Sequence, residues 1–89
     1  MYKTIKTRAG TWTVVGPGYG DLGLLPSVVI DMGRDMSGHR ATATGGRYAF
    51  HETAERAVEY GPIWDRREDA ERCAAAMQRA YDAAKAEKA

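Results

Sequence analysis

From Asp65 onward the apolar positions recur with a helical period. Ala70, Cys73, Ala74, Met77, Tyr81 and Ala84 fall at the i, i+3, i+4, i+7 spacing that gathers side chains on one face. Asp65 as N-cap and Glu68 three residues later form the pattern in which each side chain takes one free amide hydrogen at a helix start. Pro62 upstream closes the preceding element, and the charged end from Lys85 has nothing apolar to bury, so the helix is expected to fray there.

Upstream, the period shortens to two. Tyr2 to Arg8 is a β-like run whose positive charges at Lys3, Lys6 and Arg8 suit an exposed edge. Ala9-Gly10 turns the chain, and Thr11 to Val15 alternates, with Trp12 and Val14 on the side expected to face the core. Ser27 to Met32, bounded by Pro26 and Gly33, reads as a more fully buried central strand. Gly45-Gly46 can take the positive φ angles of a tight hairpin, a register that sets Ala43 opposite Tyr48 and Ala41 opposite Phe50. That small-to-large face is the one the long helix is expected to cover. Thr53 to Tyr60 fits either a short helix or a strand. Strand is the preferred reading for Arg56 to Tyr60, because Val58 and Tyr60 alternate.

The expected fold is therefore α+β: a single domain over residues 1–89, with a small antiparallel sheet of four or five strands and one long C-terminal helix packed on one face. A chain of this length buries only about 60–65% of its unfolded surface, so the core is thin and a deep enclosed active site is not expected. The lone cysteine, Cys73, lies on the apolar helix face, where a free thiol behaves as a small hydrophobe. Met1 to Lys6 has no apolar signal-like core, and Leu22 to Ile30 is too short and broken to span a membrane. A reducing, cytoplasmic setting is the reading these features support, with no membrane partner.

Charge alters the picture modestly. The net charge is +1, but residues 1–50 hold six Lys/Arg against three Asp/Glu, and residues 51–89 hold seven against nine. The sheet half is mildly basic, which falls short of the clustered excess of a dedicated nucleic-acid binder.

The candidate chemistry is sparse. Gly18-Tyr19-Gly20-Asp21-Leu22-Gly23 matches G-x-G-x-x-G, but Leu24-Leu25-Pro26 leads to another strand where a dinucleotide site needs a helix. His39, His51, Asp31 and Asp35 lack compact ligand spacing, and no nucleophile stands beside a base. No cofactor, no metal and no enzymatic activity are expected.

Tyr60-Gly61-Pro62-Ile63-Trp64-Asp65 through Glu71 resembles the strand-to-helix passage "G-P-F-x-S-x-x-E-A" of peptidoglycan-binding sporulation-related repeats. That family's plan needs a helix after its first strand, whereas Thr11 to Val15 leads into glycines, so its function is not carried over. Small, compact, cysteine-poor chains of this plan also resemble the inhibitors that phages direct against bacterial defence, including anti-CRISPR proteins. The functional expectation is a non-enzymatic protein-binding module, with a protein or a host nucleoprotein complex as partner. A module that binds or mimics nucleic acid through the basic sheet face is the alternative. The expected binding surface is the Gly16 to Leu25 loop with the polar sheet face, anchored by Tyr19, Leu22, Arg40 and Arg47. The oligomeric state is left open.

Overall fold

Lys3–Lys6 (β1) and Trp12–Val15 (β2) form an antiparallel hairpin that runs Lys3 opposite Val15 to Lys6 opposite Trp12. Its turn closes through a Thr7 N–H bond to the Thr11 carbonyl (2.8 Å) and a Gly10 N–H bond to the Thr7 carbonyl (3.1 Å). Gly10 stands at φ +85°, a region that a side chain would strain. The computed structural model describes residues 2–17, 31, 33–40 and 53–88.

Among the described residues, His39–Arg40 (β3) and Ile63–Trp64 (β4) join β1 and β2 in a four-stranded antiparallel sheet in the order β1-β2-β4-β3. β4 lies between β2 and β3, with Trp64 opposite both Trp12 and His39, and Ile63 opposite both Thr13 and Arg40. The expected α+β architecture is present, with the C-terminal helix Arg67–Lys88 (α2) on one sheet face. Val14 and Trp64 from the sheet, Met36 from the preceding turn, and Cys73 and Met77 from α2 form the centre of the core. The buried stripe of α2 is Ala70, Cys73, Ala74, Ala76, Met77 and Ala80, with Tyr81 packed against it. Its alanines let the helix approach the sheet closely, so the bulk comes from the strands.

The other sheet face is also covered, and this corrects the strand reading of Arg56 to Tyr60. Ala54–Tyr60 is a helix (α1). The Thr53 hydroxyl caps it by accepting the Arg56 N–H (3.4 Å), Glu55 stands in the first turn, and the Gly61 N–H closes the far end on the Ala57 carbonyl. Ala57 is fully buried, and Val58, which suggested alternation, is 41% exposed. Thr13 lies wholly buried beneath α1, and its hydroxyl donates to the Pro62 carbonyl (2.9 Å). A buried hydroxyl is tolerated there because it is satisfied.

The start of α2 differs from the expected capping box. Asp65 lies outside the helix and its carboxylate accepts from Arg40 (2.6 Å). Glu68 accepts from Arg66, and its carboxylate is held below the usual range by its own backbone N–H and by that guanidinium.

Residues 33–38 form a turn that the sequence pattern does not announce. Asp31 and Asp35 brace it reciprocally: the Asp31 carboxylate accepts the Gly33 and Arg34 N–H groups, and the Asp35 carboxylate accepts the Asp31 N–H (2.9 Å) and Arg34 Nε (3.1 Å). Burial pushes the Asp35 carboxyl upward. The Arg34 hydrogen bond, the Asp31 amide and the Arg34 and Arg79 charges outweigh that effect and leave it below its usual range. The turn delivers Met36 into the core at zero exposure. Of the expected central strand Ser27 to Met32, Asp31 alone is described, and it opens this turn. The Gly45-Gly46 hairpin with its Ala41/Ala43/Tyr48/Phe50 face lies outside the described residues.

Candidate functional site

Among the described residues β1 ends the sheet, as its lysines suggested, and its outward edge can be derived from the register. The Thr7 N–H reaches inward to Thr11, so Thr7, Ile5 and Lys3 direct their backbone groups toward β2. Tyr2, Thr4 and Lys6 direct theirs away. The Tyr2 N–H is taken by Gln78 Oε1 of α2 (3.0 Å), while the outward groups of Thr4 and Lys6 have no hydrogen-bond partner among the described residues.

A recess lies on each face beside this edge. On the α1 face, Ile5, Thr7, Val58 and Ile63 are among the residues lining a largely apolar groove of about 580 Å³, with Lys6 and Arg8 along one side and Glu55 on the helix side. Ile5 and Ile63 are half-buried on its floor. On the α2 face, Thr4, Ala74, Ala75 and Gln78 border a smaller recess of about 430 Å³ beside Tyr2, Lys3 and Glu71.

Charge sets this edge apart from the 33–40 segment and from the start of α2. Arg34, Arg40, Arg66, Arg67 and Arg72 each pair with a carboxylate. Lys3, Lys6 and Arg8 make no ion pair among the described residues. Lys6 Nζ lies 5.8 Å from the centre of the Trp12 ring, and the Arg67 guanidinium 5.3 Å from the same centre. Trp12 therefore packs on the core with a half-buried ring attended by two cations.

Of the residues expected to bind, Tyr19, Leu22 and Arg47 lie outside the described residues. Arg40 is exposed on β3, at the opposite end of the sheet from β1, and its charge is met by Asp65. Sequence reasoning missed Val58 and Ile63, because Val58 was assigned to a strand. It recognised β1 as an edge, and the signal that could have joined the two was the alternation of Lys3-Thr4-Ile5-Lys6 beside an exposed valine.

Cys73 cannot serve as a nucleophile. It is fully buried, its Sγ lies 3.5 Å from Met36 Sδ, and burial, aided by the Asp35 charge, pushes the thiol up to about 12. A thiol reagent at pH 8 should leave the native protein unlabelled and modify it stoichiometrically in denaturant. Because the folded-state value lies above the unfolded one, the associated stability is intact below about pH 9. It then declines by up to about 1.4 kcal/mol per pH unit as the pH rises toward 12. Cys73→Ala should flatten that part of the stability profile, and rapid native labelling would contradict the assignment.

No known protein family, curated protein or solved structure matches the chain. Among the described residues no helix is long and apolar enough to cross a membrane, and no cluster of three metal-ligating side chains is found.

Proposed function

We propose that this chain is a non-catalytic protein-binding module that engages its partner on the β1 side of the sheet. The observation that carries this reading is the apolar groove between β1 and α1, where Val58 stands exposed above half-buried Ile5 and Ile63 beside Lys6 and Arg8, which make no ion pair among the described residues. An apolar centre with a polar rim is the arrangement that binding surfaces use, because the apolar part supplies affinity and the charges orient the approach. The buried reactive groups have structural duties, since Cys73 is held neutral in the core and Asp35 braces a turn. Cytoplasmic location and an inhibitory role, of the kind mobile elements direct against bacterial nucleoprotein defence complexes, complete the proposal. Both rest on the small cysteine-poor plan and the resemblance described above.

Val58→Glu tests the reading, because the side chain is exposed and the change places a charge in the groove without disturbing the core. Affinity capture followed by mass spectrometry should retain a discrete protein with the parent chain and lose it with Val58→Glu, at matched melting temperatures. Equal capture by both proteins would remove the groove. A steeply salt-dependent shift of nucleic acid, abolished by Lys6→Glu with Arg8→Glu, would overturn the reading in favour of a nucleic-acid binder.

A further inference from the structure

We infer that the partner contributes an extended acidic segment that adds to the sheet as a further strand along β1. This rests on the protein-binding reading and specifies its partner. The first support is backbone geometry. Thr4 and Lys6 are two residues apart on one edge, and their outward N–H and C=O groups take no partner among the described residues, which is the spacing an incoming strand uses for its ladder.

The second support is the pair of recesses. Successive side chains of an added strand point to opposite faces and stand about 4.8 Å from those of its neighbour. The residue opposite Ile5 therefore points toward the mouth of the groove formed with Val58 and Ile63, and the residue opposite Thr4 points toward the recess beside Ala75 and Gln78. Backbone bonds alone would accept any sequence, whereas a recess on each face selects side chains at alternate positions. The groove takes a branched apolar residue, and the smaller recess takes a short one.

The third support is charge, which also decides between a partner and a second copy of this chain. Two β1 strands can pair antiparallel through these outward groups, for example with Thr4 opposite Lys6 about Ile5. The pairing gathers Lys3, Lys6 and Arg8 of both copies with no carboxylate between Tyr2 and Arg8, and such a concentration of like charge opposes it. An acidic strand meets Lys3, Lys6 and Arg8 favourably. Reading antiparallel from the Lys6 end, the recognised segment is acidic, branched apolar, small, acidic.

The test uses a fluorescent synthetic peptide with the core Glu-Ile-Thr-Glu and its charge-reversed counterpart Lys-Ile-Thr-Lys. Anisotropy should show the acidic peptide binding at least tenfold more tightly, with the difference narrowing as salt rises. Methylating the peptide's backbone nitrogens should abolish binding. Amide exchange at Thr4 and Lys6 should slow on binding, while the inward-facing Ile5 amide should change little. Thr4→Pro removes an outward N–H that bonds nothing among the described residues, so it should preserve the melting temperature and lose the peptide. Equal binding of the two peptides, or binding that leaves Thr4 and Lys6 exchange unchanged, would overturn strand addition. So would a concentration-dependent dimer that Thr4→Pro abolishes, because the occupant would then be a second copy. A partner whose capture depends on Val58 but survives Thr4→Pro would also overturn strand addition, and it would leave the protein-binding reading standing. Capture that is indifferent to Val58 would count against that reading itself.

Discussion

Trp64→Ala is expected to lower the stability of this protein by about 3–5 kcal/mol, a loss comparable to much of what a chain this size possesses. Trp64 is fully buried at the centre of the sheet, where it stands between Trp12 and His39 in register and beneath α2. It also anchors the 33–38 turn, because its indole N–H donates to the Ser37 carbonyl (3.1 Å). Removing the ring leaves a cavity that β2, β4 and α2 cannot all close at once, and it frees the turn that delivers Met36. For a domain of 60 to 100 residues each kcal/mol shifts the melting temperature by about 4–8 °C, so a fall of 12 °C or more should appear in a thermal melt. Trp64→Phe keeps most of the volume and loses the N–H bond, and it should fall between parent and Ala variant. A Trp64→Ala protein that melts within a few degrees of the parent would show that the core is centred elsewhere.

Met77→Asp is expected to be nearly as damaging, by about 3 kcal/mol or more, for a different reason. Met77 has no exposure and faces the core from the middle of α2, so a carboxylate there must be buried without a partner or protonated at a cost. Ala83→Asp, on the same helix at an exposed position, should cost under about 1 kcal/mol. Urea titration of the two variants separates helix propensity from burial. Equal midpoints would mean that the helix presents a different face to the sheet.

How far the sequence discloses this fold depends on whether a local rule and the tertiary environment agree. They agree for α2, where the apolar period marks Ala70, Cys73, Ala74 and Met77, and for β1 and β2, where alternation and Gly10 define the hairpin. They disagree for Arg56 to Tyr60. Two β-favouring residues at alternate positions suggest a strand, but the Thr53 cap and the burial of Ala57 over Thr13 favour a helical turn. Met36 was invisible because its burial depends on a brace of two aspartates and on Gly38 (φ +82°), whose α-carbon lies so near Asp69 that an added methyl would stand 2.8 Å from its carboxylate. No periodicity encodes such an arrangement. The candidate site was half legible: the lysines of β1 identify an edge, whereas the groove beside it exists only once α1 is a helix that exposes Val58.

The two tryptophans of this chain occupy opposite circumstances. Trp64 is sealed in the core, and Trp12 lies half-buried between Lys6 and Arg67. The protein thus carries two native fluorophores with separate duties. Emission from Trp64 should be blue-shifted and shielded, because the ring is fully buried, and it should report the integrity of the fold. Emission from Trp12 should be quenched more readily by anions, which Lys6 and Arg67 attract, than by cations, which they repel, so it should report what arrives at the β1 edge. A single emission spectrum read with iodide and with caesium can therefore separate an event at the surface from a change in folding, without any label.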